Sequence, residues 1–432
     1  MLKEKLTAKL DYEELSNCMR CGFCQPACPT FRETGYEAAS PRGRIALMKA
    51  VADGIMEPDQ DFVDQMNLCL GCRACEPVCP AGVHYGQLIE QARDAIEDYV
   101  KHPWWVRVIR KLAFEHLLPH QRRLYWLGRL LGIYQRTGLQ QAIRKAGLLR
   151  ILPQQLQEME SIMPEAANRG LAEELGTIVP ARGERKLRVG MFRGCIMDVL
   201  FQGTNVNTVR LLADAGCEVV IPPEQACCGA LHAHSGEREQ ARALAKRNMA
   251  AFKEAGVDII VSNAGGCGAL LQEYDHLLKG DSEWEEEAAW FSQRVRDISE
   301  VLVDLVKTSQ WQPLAKRISY QSSCHLRNGM KVTRHPAQLL QNIPGATFVP
   351  LFEADRCCGS AGIYNLVQPE MSSSILVEKM EHVAATQADI LVTSNPGCLL
   401  QMKAGIRRAG LSDRMEAVHL VDLLARVSEP KR

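Results

Sequence analysis

The spacing of apolar positions along the chain changes character three times. In the first hundred residues the apolar positions recur at helical steps of three and four, as in RGRIALMKAVADG over 42–54, and predict short helices. From 103 to 157 leucines alternate with Trp104, Trp105, Phe114, Tyr125, Trp126 and Tyr134, a pattern of longer amphipathic helices. Residues 158–185 are rich in glycine, proline and charge, the composition of a linker. Beyond 186 short β-branched runs (LRVGMF, CEVVIP, VDIIVS) are separated by helical stretches such as REQARALAKRNMAAFKEAG. That alternation predicts parallel strands joined by crossover helices.

The alternation then repeats. RISYQSSC, ATFVPL and ADILVTS form a second set of strands, and PEMSSSILVEKMEHVAATQ is the counterpart helix. Three local echoes mark a duplication: CCGALH with CCGSAG, VSNAGGC with TSNPGC, and SEVLVDLV with AVHLVDLL. The expectation is a multidomain α+β chain. A helical module over 1–100 is followed by a basic helical connector and linker over 101–185. Two duplicated α/β halves with parallel strands then occupy 186–310 and 311–432.

Composition changes this picture little until cysteine is counted. The 432 residues carry 51 basic and 51 acidic side chains, so no global charge points to nucleic acid as a partner. The longest stretch without a charged residue, 335–352, holds three prolines and several amides, which excludes a membrane span. The N-terminal MLKEKLTAKLDYEEL offers no apolar secretory core, so a cytoplasmic chain with reduced thiols is expected. Cysteine is the outlier: 17 are present, and eight crowd into 18–79, which favours metal over disulfide bridges.

Those eight form Cys18-x2-Cys21-x2-Cys24-x3-Cys28-Pro29 and Cys69-x2-Cys72-x2-Cys75-x3-Cys79-Pro80, each matching the bacterial ferredoxin run. Two-residue gaps let three sulfurs reach one cube while the fourth thiol is carried past it. In two-cluster ferredoxins that fourth thiol serves the other cluster. The expected ligand sets are therefore Cys18, Cys21, Cys24 and Cys79 for one [4Fe-4S] cluster, and Cys69, Cys72, Cys75 and Cys28 for the other. Zinc knuckles, the alternative, favour two CxxC or His pairs per site rather than this run twice. Arg42 and Arg44 are placed either to temper the anionic clusters or to pair on the surface.

In each half, cysteines follow the three strands at matched places: Cys195, Cys227 with Cys228, and Cys267, then Cys324, Cys357 with Cys358, and Cys398. Spacings of 32 and 39 are echoed by 33 and 40. Neighbouring parallel strands converge at their carboxyl ends, so each set should meet at one crevice as a metal site. An iron-sulfur cluster, zinc, thiol-disulfide chemistry and plain packing all remain open there. Gly229, Gly359 and Gly265-Gly266 are expected where backbone passes close to a cofactor. His232, His234 and His325 read as ordinary loop histidines, and Cys217 as core.

With these residues in hand, the chain resembles the bacterial glycolate oxidase iron-sulfur subunit over nearly its full length. The resemblance rests on CMRCGFCQPACPTF, SPRGRIALMKAV, CLGCRACEPVCPAGVHY, FRGCIMD, ACCGALHAHSGE, SNAGGCGALL, CCGSAGIYN and SNPGCLLQ. The architecture is also similar to the C subunit of anaerobic glycerol-3-phosphate dehydrogenase, and the halves alone to lactate-utilisation proteins and heterodisulfide reductase B subunits. It implies an electron-transfer subunit that is inactive alone. A separate FAD subunit would oxidise glycolate to glyoxylate, and electrons would pass on to quinone or another membrane acceptor. No FAD is expected on this chain, which lacks GxGxxG and a Walker loop. The alternative functions are a D-lactate or glycerol-3-phosphate dehydrogenase subunit, or a heterodisulfide-reductase-like enzyme with catalytic CCG halves. In the B subunits the last cysteine belongs to a CxxC, whereas Ala264 and Asn395 stand at the partner positions here. A four-thiolate or partly occupied CCG site, rather than a five-thiolate noncubane cluster, is therefore expected. The basic aromatic segment 103–157, with ten Lys or Arg and only Glu115 acidic, suggests peripheral contact with the cytoplasmic face of the inner membrane or with the flavoprotein.

Overall fold

The computed structural model describes residues 2–306 and 308–428; the outermost ends of the expected first and last segments, Met1 and 429–432, lie outside them. The N-terminal module is helical. Its pattern over 42–54 becomes the helix Pro41–Ala52, started by the Ser40 hydroxyl accepting the Gly43 N–H at 3.0 Å and by proline at the first turn. Ile45, Met48 and Val51 face inward against Leu6, Phe62, Met66 and Leu88, and this apolar core holds the cysteine loops at its edge.

Two open sheets follow. In the first, β2 (Leu187–Met191), β3 (Cys217–Val220), β4 (Ile259–Ser262) and β5 (Val295–Asp297) are parallel in the order β3-β2-β4-β5. In the second, β6 (Arg317–Tyr320), β7 (Thr347–Phe348), β8 (Ile390–Thr393) and β9 (Glu416–His419) repeat that order as β7-β6-β8-β9. The strand expected at 346–351 is trimmed to two residues, since Pro350 cannot continue a ladder. The SEVLVDLV and AVHLVDLL echoes lie where a fourth strand runs into a helix, Ile298–Leu305 and Leu420–Ser428, a strand the periodicity had not separated.

One difference concerns 158–185. This stretch is not left free. The strand β1 (Ile178–Val179) pairs antiparallel with β3, and Leu171 is fully buried in the core shared by both sheets. The first half's sheet therefore reaches back to Ile178, ahead of the expected 186.

The connector contains the helices Trp104–Arg110, Gln121–Arg136, Leu139–Lys145 and Gln154–Ile162, with a wide π-type turn over Lys111–Leu117. It is bolted to the first half by one buried carboxylate. Asp198 accepts hydrogen bonds from the Tyr125 hydroxyl and the Leu171 N–H, and pairs with Arg193. Burial raises the Asp198 pKa, an effect opposed by Arg193 and Tyr125.

The N-terminal module is seated on both halves, on the first through Arg73 with Glu273 and Glu90 with His234. Arg32 reaches Glu353 and Glu378 at 3.1 and 3.0 Å, and Arg356 pairs with the same two carboxylates. His382 stands beside them. Two guanidiniums among these acids make the cluster an ion-pair network between modules rather than a cation site.

Candidate metal centres

Both cysteine runs fold into the same backbone turn. Arg20 and Gly22 after the first two cysteines of one run, and Gly71 and Arg73 at the same offsets in the other, all have φ between 57° and 91°. An arginine in that left-handed region costs on the order of 1 kcal/mol, so its recurrence shows that the loop shape is imposed twice. Tight turns repeat too: Cys28 N–H bonds Gln25 O at 3.0 Å, and Cys79 N–H bonds Glu76 O at 3.0 Å.

The loops enclose two adjacent cavities. Cys18, Cys21, Cys24 and Cys79 line one, with Cys75 on its far wall, while Cys28, Cys69, Cys72 and Cys75 line the other. The first opens outward at the exposed Cys21; the second is buried. Arg44, wholly buried, lines the second cavity and bonds Gln65 O and the Thr30 hydroxyl, leaving Nη1 without a partner among the described residues. Arg42 pairs with Glu37 at 2.6 Å on the surface and also lines the first cavity beside Cys21 and Cys24, so each cavity has one arginine of the SPRGR stretch.

The electrostatics of the second cavity favour anions. Burial alone pushes the Cys69 thiol up, but Arg44, Arg93, the Gly71 N–H and the Tyr85 hydroxyl outweigh it and hold Cys69 below the ordinary thiol range. Cys28 is raised by burial despite Thr30 and Arg44. Arg93 and Tyr85 carried no motif signal; they come from the helix Tyr85–Glu97 and meet the thiols only through packing.

In the first half, Cys195, Cys227, Cys228 and Cys267 form a chain of touching thiols, with Cys195 and Cys227 sulfurs 3.3 Å apart. In the second, Cys324, Cys357, Cys358 and Cys398 do the same. Burial and the neighbouring thiols raise Cys195, Cys228 and Cys324 well above their ordinary value. Four like thiols packed this closely away from water need a cation among them to ionise together. Cys217, by contrast, is isolated in the core and burial pushes it up to about 11, against Lys186.

Packing adds a reason for one expected glycine and changes another expectation. A Cβ at Gly265 would lie 2.7 Å from the Leu326 Cβ of the other half. The contact between halves demands glycine, supported by Gly265 N–H to Ser394 O and Gly266 N–H to Asn395 Oδ1 at 3.0 Å. The histidines are not loop residues. His232 and His234 lie on the helix Ala230–His234, where His232 bonds Phe114 O and His234 pairs with Glu90. His325 stacks on His234 beside Cys324, and burial with His234 and Arg73 nearby lowers it to about 3.

One further contact carried no motif signal. Cys72, in the second N-terminal cavity, is buried in one cluster with Cys357 and Cys324 of the second half.

The donor set fits iron-sulfur cubes in the N-terminal module: each cavity has four soft sulfurs, turned backbone, and in the second an unpartnered buried guanidinium N–H. The comparisons agree. The chain matches a 4Fe-4S dicluster domain over 14–83, a cysteine-rich domain over 189–272 and 318–403, and the linker region of glycolate oxidase iron-sulfur subunits over 105–163. It is 55% identical over 426 residues to a probable glycolate oxidase iron-sulfur subunit of Bacillus subtilis, spanning 98% of this chain and 96% of that one. With the glycolate oxidase iron-sulfur subunit of Escherichia coli it shares 32% identity over 89% of this chain and 88% of that one. A lactate utilization protein A of Oceanobacillus iheyensis matches at 34% over 55% of this chain and 96% of its own length. With both ferredoxin-type loops, both cysteine-rich halves and the connector accounted for along one length, the chain belongs to the glycolate oxidase iron-sulfur subunit family.

Proposed function

We propose that this chain carries electrons from an FAD subunit that oxidises glycolate to glyoxylate, towards a quinone or other membrane acceptor. The observation that carries this reading is the pair of adjacent thiol-lined cavities, which share Cys75 as a wall and have basic side chains around them. Cys18, Cys21, Cys24 and Cys79 would hold one [4Fe-4S] cluster, and Cys28, Cys69, Cys72 and Cys75 the other. Bound there, the clusters supply one-electron chemistry, which splits the two-electron yield of a flavin. The protein's part is to hold them: Arg44 and Arg93 offset negative charge at the inner site, and Tyr85 and the Gly71 N–H bond its sulfur. The thiol quartets of Cys195, Cys227, Cys228 and Cys267 and of Cys324, Cys357, Cys358 and Cys398 would each take one further cluster.

Electrons enter at the outward site. Met19 and Phe23, on the same loop as Cys21, are exposed, an apolar edge suited to a flavoprotein surface. The test is co-purification of the chain with its flavoprotein partner under anaerobic conditions, followed by addition of glycolate, D-lactate or glycerol 3-phosphate. Glycolate should bleach the visible absorption of the clusters. Bleaching by dithionite but not by glycolate refutes the substrate assignment.

The connector supplies the second half of the reading. Trp104, Trp105, Val108, Ile109 and Leu112 are exposed on one helical stretch, and Trp126, Leu130 and Ile133 on the next, among ten basic side chains and one acid over 103–157. No helix among the described residues is long and apolar enough to cross a membrane. An amphipathic basic face of this kind suits anionic lipid, with indoles at the headgroup level. Sedimentation with phosphatidylglycerol vesicles should fall at high salt and on replacing Trp104, Trp105 and Trp126 by Ser. Unchanged sedimentation of that variant removes the lipid role.

A further inference from the structure

We propose that Cys72 is the point of exit from the N-terminal module, so that electrons reach the second cysteine-rich half directly and the first half only by way of the second. The inference rests on the reading that the N-terminal and second-half quartets both hold clusters, and it concerns the order in which they are visited.

Geometry supports the order. Cys72 belongs to the cavity of Cys28, Cys69 and Cys75, yet it packs in one buried cluster with Cys357 and Cys324 of the second half. All three thiols sit in one small apolar cluster with Leu70, Tyr364 and Ile375, closed to water. The contact is fixed from both sides. Asn328 donates its side-chain N–H to Cys72 O at 2.9 Å, and the Tyr364 hydroxyl bonds Leu68 O at 2.8 Å. These two bonds hold the segment Leu68–Cys72 against the second half at its cysteines. The Arg32 and Arg356 pairs with Glu353 and Glu378 fasten the same interface further out.

The first half is arranged differently. Its helix Ala230–His234 touches the N-terminal module through His234 and Glu90, but its cysteines do not. Cys195, Cys227 and Cys228 are surrounded by thiols and side chains of their own half: Asn248 donates to Cys227 O at 2.9 Å and the Tyr274 hydroxyl to Cys228 O at 2.8 Å. Cys267 instead packs into the apolar cluster that contains Cys358 and Cys398. Gly266 N–H and the Cys398 sulfur are both hydrogen-bonded by Asn395, one on its oxygen and one on its nitrogen. The two halves therefore communicate at Cys267 and Cys398, while the thiols of the N-terminal module meet those of the second half and the module touches the first half through Arg73, Glu90 and Arg93, with Glu273 and His234 as partners.

Electronic coupling falls exponentially with distance, so a sulfur-to-sulfur contact dominates any longer route. One electron leaves the quartet of Cys28, Cys69, Cys72 and Cys75 and arrives at that of Cys324, Cys357, Cys358 and Cys398; no bond is made or broken and no proton moves. The donor quartet is refilled from the flavin of the partner or, in the laboratory, by dithionite.

The test uses the full chain, reconstituted anaerobically and reduced with dithionite, so that it is independent of the substrate. Paramagnetic resonance of the inner ferredoxin-type cluster is recorded in the parent, Cys357→Ser, Cys227→Ser, and an Asn328→Ala plus Tyr364→Phe variant that keeps every thiol. A paramagnetic neighbour in contact speeds relaxation. The half-saturation power of the inner signal should fall severalfold in Cys357→Ser, fall partly in the double variant, and stay at the parent value in Cys227→Ser. A Cys357→Ser signal superimposable on the parent, or zinc in the second-half quartet, overturns the proposal. A larger change from Cys227→Ser than from Cys357→Ser reverses the order and overturns it too.

Discussion

Replacing Cys28 by alanine should strip iron from the site of Cys69, Cys72 and Cys75, although Cys28 belongs to the other sequence run. Cys28 is buried and lines the inner cavity, whereas Cys79 lines the outer one with Cys18, Cys21 and Cys24. The expected result is a chain that retains about four of the roughly eight irons of two cubes, with the surviving signal belonging to the outer site. Cys79→Ala should give the mirror image. Iron and sulfide analysis with paramagnetic resonance measures both. If Cys28→Ala instead empties the site of Cys18, Cys21 and Cys24, the ligands are not exchanged between runs. Glycolate-dependent dye reduction by the complex should drop to near background when the acceptor must be served through the inner site.

The second large effect is expected from Gly265→Val. At this position a Cβ alone would stand 2.7 Å from the Leu326 Cβ and 3.0 Å from the Leu326 backbone N, and a branched side chain forces the two halves apart. Overpacking costs about 1–3 kcal/mol, and the Gly265 and Gly266 hydrogen bonds across the interface add about 1 kcal/mol each if broken. Unfolding in denaturant should show a loss of about 1–5 kcal/mol, the upper end if both hydrogen bonds break, with metal lost from the quartet that includes Cys267 and retained in the N-terminal module. Gly203→Ala is the contrasting case. It lies inside the helix Gln202–Asp214 with nothing within 4 Å of a Cβ, so it should be neutral or stabilising by up to about 1 kcal/mol. Equal stability of Gly265→Val and the parent would mean that the interface yields freely.

What the sequence made legible depended on how locally each feature is written. The ferredoxin-type loops were readable because ligands, turn residues and spacing all lie within a dozen positions. The duplication was readable because each half repeats the same strand order and the same cysteine places. Contacts between modules were not. Nothing in LCLGCRAC marks Cys72 as facing Cys357, and nothing in HLRNG announces that Asn328 will reach across to it. Arg44 and Arg42 are two residues apart in one run, and only the packing of the helix Pro41–Ala52 sends one inward and the other to Glu37. The glycines after Ala264 carried a clear signal that something approaches closely; that the other half is among the neighbours is a tertiary fact.

The unequal exposure of the two N-terminal cavities bears on how the protein is damaged. Dioxygen and chelators meet Cys21 at the surface before they can reach Cys69 or Cys72. Aerobic handling should therefore bleach the outer centre first and leave a chain that still looks brown but has lost its connection to the flavin. Colour is then a poor guide to competence in preparations of this protein, and strict anaerobiosis protects the doorway before it protects the interior.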